Sequence, residues 1–118
     1  MVATWISREI CLTEYPVGMP TNNNFKLVEV EIPEPTKEGE FLVRNIWMSV
    51  DPYMRGRMRN EEVAGRANSF IPAFKLGQPL EGACIGQVIV SKNNQFVVGD
   101  YVLGFLGWRE YWLSNGSD

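Results

Sequence analysis

The sequence predicts a mainly β domain with short helices, arranged as a small barrel or sandwich. Two observations carry this. Strand-length segments recur along the chain, each ended by a cluster containing glycine, proline or asparagine, the punctuation expected of many short strands in an all-β fold. Apolar and polar residues also alternate, most clearly in Leu27-Val28-Glu29-Val30-Glu31-Ile32. That two-residue period sets Val28, Val30 and Ile32 on one face of a half-exposed strand.

Taken in order, residues 4–12 mix Trp5, Ile6, Ile10, Cys11 and Leu12 with charges and read as a first strand. Tyr15-Pro16-Val17-Gly18-Met19-Pro20 breaks it, and the polar residues 21–24 turn the chain into the alternating strand from Lys26. Residues 33–40 are a loop. Residues 41–50 carry apolar side chains on both faces, which places that strand centrally in its sheet. Residues 57–73 are polar and aperiodic and read as a loop. Strands are expected at 83–90, 101–103 and 108–113, separated by turns at 91–95, at Gly99-Asp100 and across Gly104-Phe105-Leu106-Gly107. As one strand, 108–113 would put Trp108 and Trp112 on a shared face.

The sharpest local signal is Val50-Asp51-Pro52-Tyr53-Met54-Arg55-Gly56. A residue before proline is pushed out of the helical region, so the extended run should end at Asp51. Asp51 suits an N-cap and Pro52 the first helical position, where a missing amide hydrogen costs nothing. Gly56 lets the turn stop after one revolution. The expected result is a strand, a rigid corner and one helical turn projecting Tyr53, Met54 and Arg55.

The chain has 118 residues, 45% of them hydrophobic. A chain of that size buries roughly two thirds of its unfolded surface, enough for one domain without staples. A net charge of −3 gives no basic field for nucleic acid. Two cysteines, Cys11 and Cys84, are too few for a disulfide framework and fit a reduced cytoplasmic setting. No apolar run approaches the roughly 20 residues of a membrane span, so no membrane partner is expected.

Ser49-Val50-Asp51-Pro52-Tyr53-Met54-Arg55-Gly56-Arg57-Met58 resembles the signature of zinc-independent, NADP-dependent medium-chain dehydrogenase/reductases. That branch includes leukotriene B4 dehydrogenase / prostaglandin reductase and alkenal double-bond reductase enzymes. Leu80-Glu81-Gly82-Ala83-Cys84-Ile85-Gly86-Gln87-Val88, Val98-Gly99-Asp100-Tyr101-Val102 and Gly107-Trp108 extend the resemblance in the same order. It covers nearly the whole chain but only the family's first domain, and it implies a chaperonin-10-like, partly open β-barrel. Residues 1–118 would be the N-terminal catalytic domain, with the Rossmann cofactor domain outside this chain. No Gly-x-Gly-x-x-Gly turn is present.

The resemblance implies NADP as cofactor, bound mainly by that other domain. It further implies reduction of enones or alkenals by hydride transfer, with 1–118 alone inactive and a homodimer of the parent left open. Zinc relatives need Cys, His and an acid, yet this chain has no histidine and offers Ser49-Val50-Asp51 and Ala83-Cys84 where such ligands would stand. No zinc is therefore expected. The alternative is a free-standing β-barrel binding module without chemistry.

Pro52, Tyr53, Met54, Phe105 and Leu106 are the expected cleft residues, and Tyr53 is the catalytic candidate because its phenol can donate to a substrate oxygen. Each has a plainer reading: a packed ring for Tyr53, a gap filler for Met54, core packing for Phe105 and Leu106. Arg55, Arg57, Arg59 and Arg66 could attract a phosphate or carboxylate. The rival is a solvated loop pairing with Glu61 and Glu62.

Overall fold

The alternating stretch forms its strand and finds its partner in the first one. A computed structural model describes residues 3–60 and 72–117. In it β1 (Thr4–Leu12) pairs antiparallel with β2 (Phe25–Pro33) from Thr4↔Pro33 to Leu12↔Phe25, a 3-10 turn at Asn22–Asn24 lying between them. Val28, Val30 and Ile32 are half-buried and Glu29 and Glu31 exposed, as the period requires.

The second sheet has the order β5-β4-β3-β6, built from β3 (Phe41–Met48), β4 (Cys84–Ser91), β5 (Tyr101–Gly104) and β6 (Tyr111–Ser114), all neighbours antiparallel. β3 is central, as its apolar residues predict. It ends two residues before the expected Val50, although the Ser49 amide still donates to the Ala83 carbonyl at 2.8 Å. β3 and β4 approach closely at Gly86, where an added Cβ would stand 2.8 Å from the Arg44 carbonyl oxygen and nearer still to the Val43 side chain.

The sheets are open, and β1 stitches them together. Along its free edge the Ile10 amide donates to the Trp108 carbonyl (2.9 Å), the Leu80 amide to Ile10 (3.0 Å) and the Glu110 amide to Arg8 (3.2 Å). Among the described residues the fold is thus mainly β with one short α-helix, its two sheets open rather than closed into a barrel.

Two apolar clusters form the core. Leu12, Met54, Met58, Phe74 and Leu80 lie beneath the corner, while Phe41, Val43, Cys84, Val88 and Trp112 fill the space inside the four-stranded sheet. Burying such side chains stabilises by roughly 1.5–3 kcal/mol each. No helix among the described residues is long and apolar enough to cross a membrane.

Two expectations change. The last strand begins at Tyr111 rather than 108, because Trp108 adopts φ +64 and Arg109 leaves to bridge Glu9 on β1. Trp108 and Trp112 consequently share no face: the first packs against the Leu12–Met54 cluster, the second sits in the other. At the corner, α1 (Tyr53–Arg57) starts with Pro52 as N-cap. The Asp51 carboxylate accepts from the Ser49 hydroxyl at 2.6 Å instead of capping, although the Asp51 carbonyl receives the Met54 amide at 3.1 Å. Of the expected loop at 57–73, residues 61–71, including Glu61, Glu62 and Arg66, lie outside the described residues.

Candidate functional site

Three segments distant in sequence meet at Gly82. The corner arrives through the Ser49–Ala83 hydrogen bond, and the loop after β5 through Gly82 N–H to the Phe105 carbonyl (3.1 Å) and Gly107 N–H to the Gly82 carbonyl (3.1 Å). A Cβ at Gly82 would stand 3.4 Å from the Ser49 carbonyl oxygen, 3.6 Å from Trp108 Nε1 and 3.7 Å from Met54 Sδ, so the corner and Trp108 lie at ordinary contact distance from this position. The structure therefore brings together the two stretches that hold the five expected cleft residues.

Individually these residues differ. Pro52 is exposed and opens the turn, while Tyr53, 41% exposed, stands on the first helical residue. Met54 is 3% exposed and is a core residue, so the gap-filling reading holds for most of its surface. Phe105 is 65% exposed, whereas Leu106 packs against the Phe41–Trp112 cluster. Beside the corner lies an apolar hollow of about 440 Å³, lined by Ile10, Phe25, Val50, Pro52, Met54 and Trp108 among others, with Asp51 and Arg55 supplying its charges.

Arg55 and Arg57 are occupied. Arg55 donates to the Gly18 carbonyl (3.0 Å) and the Pro16 carbonyl (3.2 Å), tying the corner to the loop after β1. Arg57 donates to the Pro72 carbonyl (2.8 Å), pairs with Glu81 (3.0 Å) and lies 4.2 Å over the Phe74 ring. With its side chain only 13% exposed, Arg57 fastens α1 to the segment entering β4. Fastening, rather than anion capture, accounts for both side chains.

Asn45 escaped the sequence reading. From mid-β3 its amide donates to the Leu106 and Arg109 carbonyls, both at 2.9 Å, and its oxygen accepts from Trp112 Nε1 at 2.7 Å. One side chain thus holds the loop that carries Phe105. The signal available was an amide inside a strand whose other residues, Arg44 apart, are apolar, and an amide must find partners when covered. Trp108 is the opposite case: its indole N–H is buried with no acceptor, the one such side-chain atom among the described residues. That N–H and the residue's left-handed backbone place two local costs on a single residue of the site.

Burial pushes the Cys84 and Cys11 thiols up, so neither is an activated nucleophile. Burial also raises the Glu9 carboxyl, Arg109 opposing it. No group of three or more His, Cys, Asp or Glu side chains converges to hold a metal ion among the described residues.

Residues 8–118 match the family model described as the N-terminal domain of oxidoreductase. The chain belongs to that family. Within it, this oxidoreductase N-terminal domain is 37% identical over 112 residues to the NADPH-dependent curcumin reductase of Escherichia coli (strain K12), a match covering 95% of this chain and 30% of that protein. It is 34% identical over 107 residues to the 2-alkenal reductase (NADP(+)-dependent) of Nicotiana tabacum, covering 89% of this chain and 30% of that one. Among solved structures, CurA in complex with NADPH from Vibrio vulnificus superposes with a TM-score of 0.81 at 40% identity, over 93% of this chain and 31% of that chain. The oxidoreductase N-terminal domain thus spans under a third of the length of these relatives.

Proposed function

We propose that this domain forms the substrate side of an NADP-dependent oxidoreductase that reduces activated carbon–carbon double bonds, as in enones and alkenals, without a metal. The observation that carries the reading is the convergence of the Pro52–Met54 corner and the Phe105–Trp108 loop on Gly82, beside an apolar hollow. NADPH-dependent relatives support it.

No described residues of the domain form a dinucleotide cradle. Such a cradle needs a glycine turn leading into a helix whose N-terminus faces the pyrophosphate, and the one α-helix among the described residues has five residues. The hydride donor would be held by polypeptide outside this chain. What the chain supplies is placement. The hollow binds the apolar body of the substrate and excludes water, which strengthens any hydrogen bond made there. The Tyr53 phenol, on a turn fixed by Arg55 and by the Ser49–Asp51 hydrogen bond, donates to the substrate carbonyl and holds the enolate oxygen as charge develops. Two buried free thiols suit a reducing, cytoplasmic location.

The test uses the full-length parent. Tyr53→Phe keeps the ring and removes the donor, so kcat/KM for an enone should fall at least about tenfold, the equivalent of ~1.4 kcal/mol. A change within about twofold would reduce Tyr53 to packing.

A further inference from the structure

We infer that the loop between β1 and β2 is a fixed specificity element, and that Val17 and Met19 at its tip hold the apolar tail of the substrate where it emerges from the hollow beside the corner. The inference rests on the reading above, that the hollow takes the apolar body of an enone or alkenal.

The loop is held at its base, its flank and its tip. At the base Asn24, 5% exposed, closes it: the Thr13 amide donates to the Asn24 carbonyl at 2.8 Å and the Thr21 amide to Asn24 Oδ1 at 2.7 Å. On the flank Pro16 is buried and Tyr15 packs against the Leu12–Met54 cluster. At the tip Arg55, reaching from α1, donates to the Pro16 and Gly18 carbonyls that bracket Val17. Gly18, at φ +75, supplies the left-handed residue the tip requires. Loops whose ends meet and whose body is packed in this way are rigid and frequently functional.

Rigidity makes the exposure of the tip informative. Val17 is 97% exposed and Met19 83%, although the adjoining residues 21–24 are all polar. Lone exposed apolar side chains are ordinary. These two flank one glycine on a backbone that has already lost its freedom, so a ligand that covers them meets little further ordering cost.

Placement argues for the occupant. Arg55, which ties the tip, and Phe25, which follows Asn24 at the base, both line the apolar hollow of about 440 Å³. So do Met54, Met58 and Leu80 of the cluster that Tyr15 packs against. A tail leaving the hollow past Arg55 thus reaches Val17 and Met19, and the unbranched methionine adapts to tails of different shape. Two side chains offer far less than the roughly 800 Å² per partner of a stable protein interface. A narrow hydrocarbon tail matches that area; a second copy of the chain does not.

The experiment measures tail preference in the full-length parent. Saturated methyl ketones with alkyl tails of about two and about eight carbons are titrated calorimetrically, so that binding is read without turnover. The longer ketone should bind the parent at least about thirtyfold more tightly, since each buried methylene adds to affinity. The double replacement Val17→Ser, Met19→Ser should cut that ratio at least about tenfold, and because both side chains stand in solvent it should keep the fold. Arg55→Met, which unties the tip and leaves both apolar residues in place, should cut the ratio at least about threefold. A purely structural Arg55 would instead lower Tm and leave the ratio alone. A ratio in the double variant within about twofold of the parental value overturns the proposal. So does a parent without tail preference, or a double variant that sediments as a smaller species, which would assign the tip to a contact between copies. NADPH oxidation with a short enone is scored apart. A parent that reduces it while its tail preference ignores the loop variants refutes this proposal alone; one that loses tail preference with the variants yet reduces no enone refutes the reading of function alone.

Discussion

Replacing Asn45 with alanine should unfasten the loop that carries Phe105. The side chain makes three hydrogen bonds, two donated to the Leu106 and Arg109 carbonyls and one accepted from the Trp112 indole. Trp112 is 4% exposed, so its N–H loses its acceptor without gaining water, a cost of about 1–3 kcal/mol. The two carbonyl bonds add about 1 kcal/mol or less each, partly recovered by solvent. The sum is about 3 kcal/mol, a large share of the 5–15 kcal/mol typical of a domain. At this size it corresponds to a fall in Tm of about 12 °C. Equilibrium urea unfolding followed by tryptophan fluorescence measures it, with Gln87→Ala as control. Gln87 also donates to a carbonyl, that of Gly99 at 3.2 Å, but at an exposed site, and its loss should cost under about 0.5 kcal/mol. An Asn45→Ala loss below about 1 kcal/mol would refute the claim that this residue holds the loop.

Other expectations follow from the same geometry. Gly86→Val must push β4 off β3 and should cost more than about 2 kcal/mol in the same assay. Trp112→Phe abandons a bonded indole and should cost about 2 kcal/mol, whereas Trp108→Phe removes an orphaned one and should stay within about 1 kcal/mol of the parent sequence. Burial raises the Glu9 carboxyl in the fold, so its ionisation opposes folding increasingly as pH rises from its unfolded value through its folded one. Glu9→Gln should thus stabilise near pH 7 and change nothing well below pH 4. Glu110 runs the other way: the Arg8 hydrogen bond lowers its carboxyl, and the small stability this gives at neutral pH is lost as pH falls through the folded value. Calorimetric titration of residues 1–118 with NADPH should give a Kd above about 10 μM, roughly 7 kcal/mol; tighter binding would reveal a dinucleotide site in this domain.

What could be read from the sequence was whatever the chain decides locally. The alternation from Leu27 to Ile32 needs only the pleat of a strand to sort its two faces. The corner at Pro52 needs only the steric rule before proline and the fixed φ of the ring. Both formed, the helix starting one residue later than expected and the Asp51 carboxylate accepting from Ser49 instead of capping it. Features set by distant partners were not legible. Trp108 looks like a strand residue until the bridge from Arg109 to Glu9 turns the chain through φ +64. Met54, projected from the corner by local rules, is drawn into the core by Leu12 of β1 and by Phe74 and Leu80 of the segment entering β4. The same holds at the candidate site. Its two halves were marked in the sequence, the corner by proline and glycine and the Phe105 loop by glycine, but Gly82, which joins them, and Asn45, which fixes one of them, take their roles from contacts made 23 to 67 residues away.

The most direct test of the central claim is turnover by the full-length parent, with NADPH consumption followed against an enone and against the saturated ketone of the same skeleton, with and without a metal chelator. The account predicts one NADPH oxidised per double bond reduced, no consumption with the saturated ketone, and rates unchanged by the chelator. Turnover of the saturated ketone, or loss of enone reduction on chelation, would contradict it.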